Sequence, residues 1–346
     1  MTTTQEGAVA TGGDRSPAPK DPKASAGSLR SRISPASLWR TVGPIAVFVL
    51  LLLVVSALNP SFLGGGGVTI LATQAAAILF VALGQSAVLH VGSIDLSNAS
   101  IGLLAAMVLA LTLGSLGPIA IVLAIAVATG VGALNGVVFA VTQIPSFALT
   151  LGTLGVLQAA ALVLSNATTV YVTGNTDLLA WMFGSAIAGV PAAFILGIVL
   201  AVAFWAVLRF TRVGHGLTAV GLNESGAIFA GRRNRLLKTL AFALSGFFAG
   251  FAGLVIIAQA GAASSFGVGS DLLLPAIAAA ILGGTAITGG VTNPITVVFG
   301  ALTTALLPIG IATVGINAQA QSLAYGFVII LIVALTATRS RHAIVK

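Results

Sequence analysis

Long apolar runs separated by short polar breaks fill the chain from residue 42 onward. They fall at 42–58, 68–90, 97–114, 117–141, 146–166, 191–208, 239–259, 272–288, 294–313 and 321–338. A helix needs about 20 apolar residues to cross the hydrocarbon core of a bilayer. The runs therefore predict an all-α integral membrane protein of about ten transmembrane helices. Several runs are short or interrupted by glycine, which predicts broken or re-entrant segments; irregular backbone at that depth has to be buried in protein. Residues 1–40 are rich in Ser, Thr, Pro, Gly and Ala, offer little to bury, and predict a disordered tail.

Small residues recur inside the runs. Gly132-x-x-x-Gly136 and Gly246-x-x-x-Gly250, with Ala133, Ala249 and Gly253 beside them, are spaced for close helix crossings. Hydrocarbon gives helices no hydrophobic reason to associate, so van der Waals contact over small residues takes that role. The pattern predicts a tightly packed bundle.

Charge orients the bundle. No lysine or arginine occurs between Arg40 and Arg209, or between Lys238 and Arg339. The basic residues fall in the N-terminal tail, in a loop over 209–238, and in the last residues, 339–346. Short Lys- and Arg-rich segments stay on the cytoplasmic side, so all three blocks are expected there. Six helices (41–208) then precede the loop and four (239–338) follow it, with both termini cytoplasmic. The connections at 92–98, 142–146 and 289–293 fall on the loop's side, and those at 59–67, 167–190 and 260–271 on the other. The net charge of +8 belongs to these blocks and not to a nucleic-acid face.

Composition removes several chemistries. The chain is 58% hydrophobic and 6% charged and has no cysteine, while its three histidines lie far apart. No Gly-x-x-x-x-Gly-Lys-Ser/Thr phosphate loop is present to hold a nucleotide. No nucleophile–base pair or metal cluster is visible, and no cofactor is expected. A proton- or sodium-coupled transporter would need intramembrane acids, and Asp95 is the sole acid between Asp21 and Asp177. Asp95 has three readings: a cap, with Ser97 and Asn98, for the helix that follows; a polar element at the mouth of a path; or a relay, for which no second group is placed. Gln85, Asn135, Thr150 and Thr153 suit a polyhydroxylated solute and equally suit hydrogen bonds between helices. Phe147 either narrows a path or packs in the core. So little fixed charge argues for a neutral or weakly charged solute and against an ion channel with acidic rings.

The 209–238 loop carries a moderately apolar stretch, Leu217–Ala230, around Asn223, Glu224 and Ser225. It predicts one or two short helices that dock another protein. "AVGLNESGAIFAG" (Ala219–Gly231) resembles the coupling segment of permease subunits of bacterial sugar-type ABC importers, the ribose/xylose class. "VGSIDLSNASIGLLAA" (Val91–Ala106), Gly132–Asn166 with its Ile-Pro-x-Phe motif, and Leu273–Leu302 with Leu-Gly-Gly-Thr are similar to further segments of that family, in order. The sequence departs from the family's usual acid at Ser225, its arginine at Ile228 and its glutamate at Leu273.

The resemblance implies a permease in a bacterial cell membrane that carries a monosaccharide or similar small polar solute. It implies a second permease copy or paralogue, a cytoplasmic ABC ATPase that holds the ATP and magnesium, and an extracytoplasmic solute-binding protein. Leu217, Val220, Gly221, Asn223, Glu224, Ala227 and Gly231 are the candidate coupling residues. Ser264, Ser265, Phe266 and Asp271 are candidates for docking the binding protein. The related branched-chain amino-acid type of ABC permease is the alternative, and an ion-coupled transporter a more distant one.

Overall fold

The computed structural model describes residues 35–64, 66–264 and 270–315, with residues 323, 326, 327 and 330 beyond them. Residues 1–34, most of the tenth apolar run at 321–338, and the C-terminal block 339–346 lie outside the described residues.

The helices follow the apolar runs closely. They are α1 (Pro35–Leu58), α2 (Gly67–His90), α3 (Asn98–Leu116), α4 (Pro118–Thr142), α5 (Ser146–Leu164) and α6 (Asp177–Gly184). Then come α7 (Ala192–Phe210), α8 (Arg212–Leu222), α9 (Glu224–Phe229), α10 (Asn234–Ala260), α11 (Leu273–Leu282) and α12 (Pro294–Thr313). Eight of these are long and apolar enough to cross a membrane. Two ends move outward from the sequence reading. α1 begins at Pro35, inside the expected tail, where proline's fixed φ suits a first helical turn. α10 begins at Asn234, inside the expected loop.

The ninth run, 272–288, is a broken crossing. α11 has ten residues, about 15 Å of helix, or roughly half the hydrocarbon core. It stops at Gly283 because Gly284, Gly289 and Gly290 take φ of +87°, +90° and +76°, where L side chains are strained. The irregular return packs between α2, α8 and α12, which satisfies the rule that such backbone be shielded from lipid.

Burial separates centre from periphery. In the most apolar windows of α2 and α10, 72% of residues are buried, against 17% in α1 and α5. The outward faces of the peripheral helices carry large apolar groups such as Leu50, Ile119, Val122 and Val163. These are the surfaces a bilayer covers.

The two glycine motifs meet. A Cβ on Gly132 would sit 2.3 Å from the Phe242 carbonyl oxygen, and one on Gly246 would sit 2.2 Å from that of Ala128. Gly136 and Gly250 extend the same seam against Thr239 and Ile125. α4 and α10 therefore cross backbone to backbone, as the spacing predicted.

The ends of the bundle differ. The basic end gathers α8, α9, the start of α10, the end of α2 and the 289–293 turn. The opposite end holds α6 and four two-residue strands: β1 (Val170–Tyr171), β2 (Ala186–Ile187), β3 (Val190–Pro191) and β4 (Ala262–Ala263). β1 pairs antiparallel with β4, Val170 opposite Ala263, and β2 pairs antiparallel with β3.

Candidate functional site

Between α2 and α3 the chain turns back into the bundle. Val91, Gly92 and Ser93 donate their amides to carbonyls of the last turn of α2, with Gly92 at φ +72°. The segment then climbs beside α2, so that Gly84 lies against Asn98 and Ser245. Asp95, Ser97 and Asn98 end fully buried.

A polar lattice holds them. The Asp95 carboxylate accepts hydrogen bonds from the Ser97 amide (2.9 Å), the Ser97 hydroxyl (2.6 Å) and the Ser245 hydroxyl of α10 (2.9 Å). Ser245 in turn accepts from Asn98 Nδ2. The Ser97 hydroxyl accepts from Asn135 Nδ2 of α4 (3.0 Å), and Asn135 Oδ1 accepts from Thr153 of α5 (2.8 Å). Thr150 and Ser146 of α5 accept the amides of Leu96 and Ile94, each at 3.0 Å. Asn135 lies seven residues from the end of α4, so the lattice sits about 10 Å inside the basic end.

The structure thus brings Asp95, Asn135, Thr150 and Thr153 together, with Asn135, Thr150 and Thr153 engaged in hydrogen bonds to other segments of the bundle. Asp95 also caps, since its carboxylate takes an amide at the start of α3; Ser97, the N-cap residue, makes no side-chain cap. No Lys, Arg or His is among the hydrogen-bond partners of Asp95. Gln85 differs: it is buried on α2, and neither of its amide atoms has a partner among the described residues. That leaves one donor and one acceptor group in the protein interior uncommitted. Phe147 is 55% exposed at the start of α5, which sets aside its packing in this chain's core. Ser245 and Ser146 were not singled out from the sequence. The signal for Ser245 was its place directly before Gly246, a small hydroxyl at a close crossing.

At the basic end, Thr211 caps α8 by accepting the Gly214 amide (3.0 Å). Leu217 and Val220 are buried. Gly221 touches backbone: a Cβ there would sit 1.9 Å from the His90 carbonyl oxygen and 2.4 Å from the Gly290 nitrogen, and the Gly290 amide donates to that same oxygen (2.8 Å). Asn223 caps α9 through Gly226 (2.9 Å). Glu224 pairs with Lys238 at 2.5 Å, tying α9 to α10, and Lys238 also lies over the Phe139 ring at 4.8 Å.

Among the seven coupling candidates, Leu217, Val220 and Ala227 face inward, and Gly231 takes φ +72° in open space. The surface that α8 and α9 turn outward carries Leu222, Ile228 and Phe229, the last 92% exposed, beside the exposed candidates Asn223 and Glu224. Sequence reading did not count Leu222, Ile228 and Phe229 among the coupling candidates. Their signal was large apolar groups among the polar residues of a loop. At the opposite end, Ser264 is half-buried beside β4, and Asp271 is exposed on a single 3₁₀ turn ahead of α11. Ser265 and Phe266 lie outside the described residues.

Comparison with known proteins gives a consistent picture. The chain is 30% identical to the ribose import permease protein RbsC of Escherichia coli (strain K12), over 88% of this chain and 96% of that protein. It is 30% identical to the D-allose transport system permease protein AlsC of the same strain, over 87% and 92%. It is 28% identical to the fructose import permease protein FruF of Bifidobacterium longum, over 85% and 87%. No solved structure matches the chain. The family model described as branched-chain amino acid transport system / permease component aligns with residues 67–334, from the first buried helix through the polar lattice, both short basic-end helices and the broken crossing, and the chain belongs to that family.

Proposed function

We propose that this chain is the membrane subunit of an ATP-binding-cassette importer and forms the path for a monosaccharide or similar small polar solute. The observation that carries this reading is its near full-length similarity to permeases named for ribose, D-allose and fructose. The interior supports it. Hydroxyls and amides dominate the buried polar groups, and Gln85 has hydrogen-bonding capacity to spare. A sugar is recognised by such neutral donors and acceptors, whereas an ion-coupled carrier needs intramembrane charge. The names of these relatives favour the sugar reading over a branched-chain amino acid.

The basic end faces the cytoplasm in this reading, because Lys and Arg cluster there. A separate ATPase holds ATP and magnesium and docks on Leu222, Ile228 and Phe229, while α8 and α9 carry its motion to the helices. An extracytoplasmic binding protein delivers solute to the opposite end, near Ser264–Asp271. A second permease copy or paralogue completes the path beside α5, whose outer face has Gly152 and Gly155 with open space about them.

Reconstitution tests the assignment. The chain, co-expressed with an ATPase and a binding protein from the same source, is assembled in proteoliposomes and given labelled ribose, allose, fructose and leucine. Uptake of a sugar that depends on ATP hydrolysis is expected. Leucine uptake in preference to every sugar, or uptake driven by an ion gradient without ATP, would overturn the reading.

A further inference from the structure

At the basic end a cavity of about 540 Å³ lies between the last turns of α2 and α7, the helix α8, and the turn into α12. His90, Trp205, Arg209, His215, Thr218 and Asn293 are among its lining groups. The floor is buried backbone and side chain at Gly290, Pro294 and His90; the rim is exposed at Arg209 and His215. No carboxylate lines it.

Three observations give this cavity a ligand chemistry. Arg209 and His215 have no side-chain hydrogen bond or ion pair within the described residues, so the guanidinium fork has no partner among them. Below them His90 is 3% exposed; its Nε2 meets Thr218 Oγ1 at 3.0 Å, and its Nδ1 is buried without a partner. Asn293 spends its side-chain oxygen on capping α12 through the Ile295 amide (3.1 Å), which leaves its amide hydrogens uncommitted. A fixed cation, two imidazoles and an amide converge with no anion among them, while the Thr218 hydroxyl is engaged with the Gly214 carbonyl (3.0 Å) and His90. Guanidinium and imidazole donors match phosphate oxygens, and Arg binds them through paired bonds.

The location narrows the source. Arg209 ends a membrane-crossing helix. Trp205 packs edge-on against Phe210 at 5.6 Å, and Phe210 is 70% exposed. Aromatic groups beside basic ones mark the headgroup level of a bilayer, where basic pockets between helices take anionic headgroups. We propose that this cavity is a binding site for a phosphate anion, carried by an anionic phospholipid headgroup or free in solution. Its occupant bridges α7, α8 and the end of α2, and so fixes the short basic-end helices against the bundle.

Thermal unfolding of the purified full chain tests this in three settings: nanodiscs of phosphatidylcholine alone, nanodiscs that include phosphatidylglycerol, and phosphatidylcholine nanodiscs with added inorganic phosphate. A ligand that binds only the folded state raises the unfolding midpoint. A rise of a few degrees is expected in at least one of the two phosphate-anion settings. It should vanish in Arg209→Gln and shrink in His215→Gln, and persist in Arg232→Gln, a basic residue outside the cavity. A rise with phosphatidylglycerol alone assigns the site to lipid; a rise with inorganic phosphate as well assigns it to free phosphate. The proposal is overturned by equal midpoints in all three settings, by a rise that survives both cavity variants, or by one that Arg232→Gln removes equally.

Discussion

Replacing Asp95 by alanine removes the acceptor of three hydrogen bonds in a fully buried place: those of the Ser97 amide, the Ser97 hydroxyl and the Ser245 hydroxyl. The two hydroxyls can rotate toward other acceptors, and side-chain hydrogen bonds between membrane helices are worth about 0.6 kcal/mol each. The Ser97 amide cannot rotate, and leaving a buried amide unpaired costs about 1–3 kcal/mol. The variant should lose about 2–4 kcal/mol of stability in all. Asp95→Asn isolates the geometry from the charge. Its remaining oxygen can keep both Ser97 bonds, and only Ser245 loses its acceptor, so the cost should be about 1 kcal/mol. Unfolding of the purified full chain in detergent, followed by tryptophan fluorescence, gives the order parent, then Asp95→Asn, then Asp95→Ala. If asparagine costs as much as alanine, the charge and not the acceptor geometry matters, and the reasoning fails. It fails equally if alanine unfolds with the parent.

Gly246→Val should prevent close crossing of α4 and α10, because even a Cβ lies 2.2 Å from the Ala128 carbonyl oxygen; overpacking costs about 1–3 kcal/mol or more, and fluorescence-detected size exclusion should show loss of the monodisperse peak. Gly130→Ala, with open space at its Cβ, should keep that peak. Phe229→Ser should leave abundance and folding unchanged while lowering ATP-coupled uptake in proteoliposomes; unchanged uptake would remove this residue from the docking surface. Asn223→Ala should weaken the cap of α9 by about 1 kcal/mol and reduce uptake less than Phe229→Ser does. Cysteine labels at Asn223 and after Arg339 should react with membrane-impermeant reagents only from the cytoplasmic side, and reaction of intact cells at Asn223 would reverse the topology.

Much of the fold was legible because lipid imposes a strong rule: every apolar run long enough to span must be a helix. The runs at 68–90, 97–114, 117–141 and 294–313 match α2, α3, α4 and α12 within a few residues. The glycine seam was legible too, since Gly132, Gly136, Gly246 and Gly250 leave few other reasons for such spacing. What escaped was geometry that depends on partners far along the chain. Nothing local to 272–288 says that its helix stops halfway; that follows from glycines whose left-handed turns are shielded by α2 and α8. Asp95 was visible as a lone acid, but its bond to Ser245 spans 150 positions. Ala227 and Phe229 stand two residues apart, and only the placement of α9 against the bundle tells which is buried.

Where Gly221 meets the carbonyl of His90 and the turn at Gly290, main chain rests on main chain. Side chains absorb small displacements by changing rotamer within picoseconds to nanoseconds, and glycines have none to change. The junction is therefore a stiff contact with little room for local adjustment. α2, whose terminal carbonyl forms one side of it, has 24 residues, about 36 Å of nearly rigid rod. In the proposed coupling role, a rocking of α8 is therefore passed to the end of α2 at this junction and not absorbed by side chains.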